Sequence, residues 1–284
     1  MRLSNEEIGE FFRDVRKARS LKLKDLANEQ VTLAQLSKFE RGETVLSFDR
    51  LLSVIDRLNM TFEEFSYMAN AYQQPTFHEF YDKAIKAAQF QNVNALQNML
   101  DIELAKNNPN FTDKINQIYI RNFQGKLSDD DKKFVINYLM AVDNWTFYEL
   151  LLFNDTLSKL KIDAVDTLAK EMISRTNFYK DIYQNKKLFL TILINVYRFM
   201  IKHDERVKAL FYQRVVEENI SEGFTIEKIV FDFIKQIFLF SFADTQSNKE
   251  ELKLKMKEII IAYEKLDFPA IAKRLREELD ELET

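Results

Sequence analysis

Apolar residues recur every three or four positions through almost the whole chain, the spacing of amphipathic helices. In the first part of the chain this pattern predicts five short helices, of which the first covers residues 4 to 19 and the second runs from Leu23 to Glu29. Hydroxyl residues that can cap a helix precede the other three, at Thr32, Ser47 and Thr61. The sequence therefore predicts a compact head of helices.

The remainder of the chain has the same helical period, broken by short polar stretches. Taken in pairs, these helices form units of roughly 35 to 45 residues, the range of tetratricopeptide and HEAT hairpins. Pro75 cannot continue the fifth helix, so we expect a domain boundary beside it. We predict an all-α fold, with a five-helix DNA-binding head at 1–70 and a tetratricopeptide-like superhelix of helical hairpins at 71–284. The final helix, Ala270 to Glu283, is highly charged and is expected to be a solvent-facing end cap.

The amino-acid composition excludes several fold classes and kinds of site. Four glycines and three prolines are too few for a turn-rich β fold. The chain has no cysteine, which removes disulfides, cysteine zinc sites and thiol catalysis and fits a reducing cytoplasm. With only His78 and His203, a histidine metal site is not expected either. We predict no cofactor and no metal.

The sequence indicates neither a membrane or exported protein nor an enzyme. The longest apolar run, Leu188 to Ile201, contains Arg198 and is shorter than the ~20 residues that span a bilayer. The acidic N-terminal segment does not resemble an export signal, so we expect a cytoplasmic protein that does not contact a membrane. No phosphate loop, nucleophile elbow or HExxH motif is present, and the sequence predicts that the chain is not an enzyme.

The segment Leu21 to Gly42 is typical of a helix-turn-helix, the motif that inserts one helix into the major groove of DNA. Its second helix presents four candidate DNA-binding residues in its first turns: Thr32, Ala34, Gln35 and Lys38. Gln35 matches adenine, and Lys38 matches guanine or a phosphate. The alternative is that both side chains only solvate a surface helix; we favour DNA contact.

The flanking residues divide into two predicted roles. Six basic residues against one acidic residue lie between positions 13 and 24, although the whole chain carries a net charge of −4. Candidates for phosphate contact are Arg13, Lys17 and Arg41, each of which could instead be a solvated charge. The predicted structural residues are Arg16 and Glu40, which would form a buried ion pair, and Gly42, which would end the helix. Ser37 has a small side chain, and we expect it to pack where two helices cross closely.

Asparagines inside apolar helices are the unusual feature of the larger domain. Asn154 follows the run ELLLF, and Asn195 lies within FLTILINVYRFM. An amide side chain can bind the backbone of an extended peptide whatever the peptide's sequence. For Asn154 a satisfied core or loop position is an equal alternative, whereas for Asn195 we favour peptide binding. Arg198 lies on the same face as Asn195 and would either grip a peptide carboxylate or form an internal salt bridge.

The head, with LANE followed by TLAQLSKFERGE, resembles the Xre family of helix-turn-helix repressors. The whole chain is similar to the Rgg/MutR regulators of Gram-positive bacteria, through KLKDLA, LSKFERGE, NWTFYELLLFND and its length. This resemblance implies a homodimer whose C-terminal domain binds a short signalling peptide and changes DNA binding or activation. It assigns base reading to residues 32 to 38 and places Asn154 and Asn195 in the peptide groove. Some relatives carry a cysteine in the loop matching residues 43 to 45; this chain has none, so any dimer is non-covalent.

We therefore predict a DNA-binding transcriptional regulator of the quorum-sensing type. Two alternatives stay open from the sequence. The chain could be a helical scaffold that binds a partner protein, which the acidic net charge and Leu23, at a position where many Xre heads have glutamine, would favour. It could also be a regulator that senses a small molecule.

Overall fold

A computed structural model of the chain describes residues 3–72, 76–176, 182–243 and 245–282. All regular secondary structure in these ranges is helical, as predicted. The backbone divides into two compact units, Met1–Asn92 (the N-terminal unit) and Val93–Thr284 (the C-terminal unit). Pro75, the predicted boundary, lies outside the described residues, and the domain limits 1–70 and 71–284 stay predictions.

The N-terminal unit contains six helices among its described residues. They are α1 (Asn5–Ala18), α2 (Leu23–Leu26), α3 (Leu33–Glu40), α4 (Phe48–Arg57), α5 (Phe62–Ala69) and α6 (Thr76–Gln89). Apolar faces of the first five surround one core, in which Phe12, Leu36 and Ile55 are almost fully buried. Helix α3 packs on α1 and α2, so the core fixes the orientation of the predicted DNA-reading helix.

The C-terminal unit is a series of antiparallel helix pairs. Its described helices are α7 (Val93–Leu104), α8 (Phe111–Phe123), α9 (Asp129–Ala141), α10 (Phe147–Thr156), α11 (Ile162–Arg175), α12 (Tyr183–Lys202), α13 (Arg206–Asn219), α14 (Thr225–Ser241), α15 (Gln246–Lys265) and α16 (Pro269–Glu281). Helices α8, α10, α12 and α14 contact one another in that order and form one row, while α9 contacts α11. This arrangement is the predicted stack of hairpins, with one row of helices able to present a common face.

Two helix ends differ from the predictions. Helix α2 ends at Leu26, three residues earlier than expected, because the Asn28 side chain accepts hydrogen bonds from the backbone N–H groups of Gln30 and Val31 (both 2.9 Å). This Asx turn replaces the last helical turn. Helix α16 starts at Pro269, one residue before the predicted start at Ala270; proline is tolerated in a first helical turn because the N–H that it lacks has no partner there.

The expectation that the final helix is a solvent-facing cap is wrong for one of its faces. Ala272, Leu275 and Leu279 are nearly fully buried, and α16 packs against α15. The high charge of the helix hid a narrow apolar stripe at three- and four-residue spacing. Helix α16 therefore also contributes to the interior of the C-terminal unit.

Candidate functional site

A buried ion pair joins α1 to the end of α3. Arg16 donates from Nε and Nη2 to the two carboxylate oxygens of Glu40, at 2.6 and 2.8 Å, and from Nη1 to the carbonyl of Leu21 at 2.7 Å. Arg16 is 8% exposed and Glu40 is 5% exposed. The carboxylate raises the pKa of Arg16 above its ordinary value, through the hydrogen bond and in spite of the cost of burial. All three contacts hold the turn that precedes α3 in one geometry.

Two glycines let α1 approach α3 closely. A Cβ atom on Gly9 would lie 2.3 Å from the carbonyl oxygen of Phe39, so only hydrogen fits there. Gly42 has a φ of +71°, and a Cβ on it would lie 2.6 Å from the Cα of Glu6. The sequence pointed to Gly42 but missed Gly9, and it assigned the close crossing to Ser37 instead. Ser37 is half-buried, and its hydroxyl accepts a hydrogen bond from Arg41.

The outer surface of α3 carries the four residues that were predicted to bind DNA. Thr32, Ala34 and Lys38 are exposed, whereas Gln35 is half-buried. Thr32 and Gln35 form a capping box: Gln35 Oε1 accepts from Thr32 N at 3.0 Å, and Thr32 Oγ1 accepts from Gln35 N at 3.3 Å. The box satisfies backbone groups that are otherwise free at a helix start.

The capping box changes what Gln35 can offer to a base. Its carbonyl oxygen also accepts from the Thr32 hydroxyl at 3.2 Å, so two donors already occupy it. The expected pairing with adenine needs a free carbonyl oxygen and a free amide N–H at once. In this conformation Gln35 presents its amide nitrogen as a donor, which suits an acceptor such as a purine N7 or a phosphate.

The three candidate phosphate contacts differ in their surroundings. Arg13 donates to Glu10 at 2.8 Å. Arg41 donates to both carboxylate oxygens of Glu43, at 2.5 and 3.1 Å, and this guanidinium lowers the pKa of Glu43. Lys17 is exposed and has no ion pair within the described part of the chain. Of the three candidates, each arginine therefore has a neighbouring carboxylate that DNA would have to displace or tolerate, whereas Lys17 does not.

The three predicted peptide-binding residues lie together in the C-terminal unit. Asn195 on α12 donates from Nδ2 to the Oδ1 of Asn154 on α10, at 3.0 Å. Arg198, one turn further along α12, donates from Nη1 to the Oδ1 of Asn195 at 3.3 Å. All three residues are largely shielded from solvent but not fully buried. The two helices thus share a short row of polar groups in otherwise apolar surroundings.

The row extends to a residue that the sequence analysis missed. Asn154 donates to Asp155 Oδ1 at 3.0 Å, and Asn122 on α8 donates to the backbone carbonyl of Asp155 at 2.9 Å. The side-chain carbonyl oxygen of Asn122 is buried and has no hydrogen-bond partner among the described residues. Asn122 stands in an ordinary amphipathic helix, and only the contact with α10 reveals it.

A pocket of about 190 Å³ opens beside this row, between α12, α14 and α16. Its polar lining combines Asn195 and Arg198 with Thr191, Glu227 and Arg274. Its apolar lining consists of Ile194, Ile226, Val230, Ile271 and Leu275. A volume of this size holds one side chain or one terminal residue, since pockets for whole small-molecule ligands are typically about 300–1,000 Å³.

Arg198 also faces an acidic residue of α16. Its Nε lies 3.2 Å from the Oε2 of Glu278, and both side chains are about nine-tenths buried. Burial lowers the pKa of Arg198 to about 10, and the Glu278 carboxylate only partly opposes this effect. Of the two readings of Arg198 from the sequence, an internal ion pair is therefore present; a peptide contact stays a prediction.

Within the described ranges, no group of three or more histidine, aspartate or glutamate side chains is arranged to hold a metal ion. The same ranges contain no helix that is both long and apolar enough to cross a membrane.

Comparison with protein families gives one match that covers most of the C-terminal unit. Residues 96–277 match the model of the C-terminal domain of Rgg, an HTH-type transcriptional regulator.

Solved structures resemble the chain over nearly its full length. The SHP pheromone receptor Rgg2 from Streptococcus dysgalactiae has a TM-score of 0.82 at 22% identity, and the match covers 97% of this chain and 99% of that one. A protein from Listeria monocytogenes EGD-e described as a candidate transcriptional regulator has a TM-score of 0.81 at 17% identity, with 98% and 97% covered. PrgX in complex with cCF10 has a TM-score of 0.74 at 15% identity, with 98% and 92% covered. At these identities the likeness is one of fold.

Proposed function

From the fact that this chain belongs to the Rgg family of helix-turn-helix transcriptional regulators, we propose that it binds operator or promoter DNA and responds to a short signalling peptide. Helix α3 is the DNA-reading element, and the polar row with its pocket is the peptide site. Because the regulated DNA lies in the cytoplasm, the peptide would have to reach the chain there.

The polar row beside an open pocket is the observation that carries the peptide proposal. An extended peptide has backbone N–H and C=O groups at every residue, and each one costs free energy if it is buried without a partner. Asn122, Asn154 and Asn195 supply amide donors and acceptors on three successive helices of one row. Side chains of the peptide can then occupy apolar recesses such as the pocket. Rgg2, a pheromone receptor, and the PrgX/cCF10 complex have this fold.

The DNA proposal rests on the outer side of α3 and on its support by Arg16 and Glu40. With a net charge of −4, the chain has little non-specific attraction for DNA, so affinity has to come from paired heads. Helix-turn-helix dimers bind two half-sites about one helical turn apart. We infer a homodimer, held without disulfides because the sequence contains no cysteine. Light scattering of the full chain should give twice the mass of one chain.

Selection of bound sequences from random DNA duplexes tests the DNA-reading role. The full chain is expected to enrich a two-fold symmetric site, and the Gln35→Ala, Lys38→Ala double variant should lose the preference at the base pairs that α3 contacts. Lys133→Ala, a change of an exposed lysine on α9, serves as the control and should leave the motif intact. An unaltered motif in the double variant would contradict base reading by α3.

Capture from a pool of synthetic apolar heptapeptides tests the sensing role. Immobilised wild-type chain should retain a subset of the pool, and Asn195→Ala should retain much less of it. Asn219→Ala, which removes an amide that donates to the Val215 carbonyl of its own helix α13, is the matched control. Equal retention by wild type and Asn195→Ala would remove the polar row from the proposal. If a metabolite mixture is retained instead of peptides, the small-molecule alternative is favoured.

A further inference from the structure

The ion pair in the pocket is incompletely made. Although Arg198 Nε and Glu278 Oε2 are 3.2 Å apart, their orientation does not form a hydrogen bond. The Nε and Nη2 atoms of Arg198 and the Oε2 atom of Glu278 are all buried without a hydrogen-bond partner among the described residues. Buried groups of this kind cost free energy that a better-placed partner recovers.

A free carboxylate is the group that best completes Arg198. A guanidinium prefers two parallel N–H···O bonds to one carboxylate, and here Nη1 is already directed by Asn195 while Nε and Nη2 remain unused. Glu278 cannot supply both bonds in its present position. It is also shared with Arg274, whose Nε lies 3.5 Å from Glu278 Oε1.

The rest of the pocket favours an aliphatic group next to that carboxylate. Ile194, Val230, Ile271 and Leu275 form its apolar wall, and the volume of about 190 Å³ suits one branched side chain. Glu227 lines the pocket as well and lies 3.9 Å from Lys187, which is four residues before Thr191 on α12. Since Thr191 and Arg198 are seven residues apart, the two ends of the pocket along α12 are about 10 Å apart. The cationic end, with Arg198 and Arg274, is therefore separate from the anionic end.

We propose that this pocket binds the C-terminal residue of the signalling peptide, with the peptide's free carboxylate replacing Glu278 on Arg198 and its aliphatic side chain entering the apolar wall. The proposal rests on the proposed peptide-sensing function and adds an orientation to it. The preceding residues of the peptide run from Asn195 towards Asn154 and Asn122. In the absence of peptide, Glu278 acts as an internal substitute for the ligand carboxylate.

The replacement of Glu278 by the peptide's carboxylate has two consequences for binding. A peptide whose C-terminus is amidated lacks the charge that displaces Glu278, so its affinity should fall. Conversely, Glu278→Gln removes the internal competitor, so the affinity for free-acid peptides should rise. Loss of a charged hydrogen bond of about 1.5–3 kcal/mol corresponds to roughly a 10- to 150-fold change in affinity.

The test uses two synthetic pools of apolar heptapeptides without acidic side chains, identical except that one pool has free C-terminal carboxylates and the other has amides. Each pool is incubated with the full-length chain, and retained peptides are quantified by mass spectrometry. Wild type should retain free acids at least about tenfold better than the matching amides. Glu278→Gln should increase retention of the acids and leave the amides unchanged.

Removal of the cation is tested with a double variant. Arg198→Gln alone would leave Glu278 buried with less compensation, so we pair it with Glu278→Gln to keep the pocket neutral. The double variant should retain acids and amides equally. Lys202→Gln, which breaks the neighbouring exposed pair with Glu281 outside the pocket, is the matched control and should discriminate like wild type.

The outcomes separate this inference from the function on which it rests. If wild type retains acids and amides equally, peptide sensing stands and the carboxylate anchor is overturned. If wild type retains neither pool, both fail. If the control Lys202→Gln loses discrimination as fully as the double variant, the effect is general electrostatics and the assignment to Arg198 is overturned. Retention of free leucine or isoleucine with the same dependence on Arg198 would support the pocket chemistry but assign it to an amino acid and overturn the peptide assignment.

Discussion

Each unit of this molecule contains a buried arginine–glutamate pair, and the two pairs are built differently. In the N-terminal unit, Arg16 and Glu40 share two short hydrogen bonds, and a third bond ties the guanidinium to the backbone of Leu21. In the C-terminal unit, Arg198 and Glu278 approach to 3.2 Å without an aligned bond. In the first pair, which we call the closed pair, the two side chains satisfy each other's hydrogen bonds. In the second pair, polar atoms of both side chains have no hydrogen-bond partner among the described residues, and Arg198 lines a pocket.

The difference separates a structural charge from an exchangeable one. A buried pair is retained at low cost only when its hydrogen bonds are complete. Completion of the Arg16–Glu40 pair fixes α3 against α1, and a fixed orientation is what the proposed DNA-reading role of α3 requires. Incompleteness of the Arg198–Glu278 pair leaves free energy for a ligand to recover. The same two residue types therefore have opposite roles, and only their geometry distinguishes them.

The largest expected effect comes from removing one charge of the closed pair. Glu40→Gln keeps the shape of the side chain but leaves the charge of Arg16 buried without a counter-ion. We expect the free energy of unfolding of the N-terminal unit to fall by about 3–5 kcal/mol. Glu278→Gln should cost less, because only the Coulombic attraction to Arg198 and no aligned hydrogen bond is lost. Hydrogen exchange of the amides in α1 and α3, and separately in α12 and α16, measures the two effects in the full chain.

An equal loss in both variants would remove the distinction between the pairs. The exposed Arg41–Glu43 pair provides the control in the N-terminal unit, since surface pairs contribute little to stability. Glu43→Gln should leave the exchange rates in α1 and α3 close to those of wild type.

The next effect concerns the closeness of α1 and α3 that the closed pair requires. Gly9→Ala places a methyl group 2.3 Å from the carbonyl oxygen of Phe39, so the helices must separate. We expect a loss of about 1–3 kcal/mol from overpacking. Gly223→Ala meets nothing within 4 Å and should change stability very little. Denaturant unfolding of the two variants checks this difference; similar midpoints would show that the crossing adjusts without cost.

The helical elements could be predicted well from the sequence, because capping residues and the apolar period are local signals. Ser4, Thr32 and Thr61 begin helices through capping boxes, as their spacing to a following Glu or Gln indicates. The all-α class followed from the same signals, whereas the family was inferred from the resemblance of KLKDLA, LSKFERGE and NWTFYELLLFND; both are confirmed. The early end of α2 was missed because an Asx turn competes locally with one more helical turn.

The parts of the candidate site that the sequence missed depend on contacts between distant segments. Gly9 has the local pattern of an ordinary helical residue until α3 is placed against it. Glu278 lies in a charged helix, and nothing in its neighbours along the chain reveals that it faces Arg198, which is 80 residues earlier. Asn154 and Asn195 were found because an amide in an apolar run is unusual by itself. A polar residue that interrupts an apolar run can be selected from the sequence as a candidate site residue. A residue that fits its local sequence pattern, and whose role depends on a distant contact, cannot.

A third prediction concerns the stability of the C-terminal unit at low pH. Asp131 at the start of α9 is 1% exposed and accepts from Arg121 at 2.9 Å and Lys114 at 3.2 Å. Burial alone would raise its pKa, but hydrogen bonds from Ser128 and the two cations lower it below the ordinary value. This carboxylate therefore stabilises the C-terminal unit above its unfolded pKa of about 3.9, and the contribution is lost as pH falls through the lower folded pKa.

Asp131→Asn tests that sign. The variant should be less stable than wild type at neutral pH, by about 1–2 kcal/mol, and the difference should shrink in strong acid as the wild-type carboxyl becomes protonated. Denaturant midpoints at several pH values measure it. A difference that is independent of pH would mean that the packing of Asp131, and not its charge, stabilises α9.

The smallest expected effect returns to the exposed surface of the N-terminal unit, where a pair can be opened without touching the core. Glu43 occupies Arg41 through two hydrogen bonds and adds negative charge beside the predicted DNA-binding face. Glu43→Gln should free the guanidinium for a phosphate, raise affinity for operator DNA a few-fold, and steepen the salt dependence by up to about 0.9 in log–log slope for one added phosphate contact. Titration of labelled operator by fluorescence anisotropy at several salt concentrations measures both quantities. Glu10→Gln, which releases Arg13 in the same way, gives a second estimate at a different position. If both variants bind with the wild-type slope, Arg13 and Arg41 lie away from the phosphates, and Lys17 with the N-terminus of α3 remains as the phosphate-contacting surface of the head.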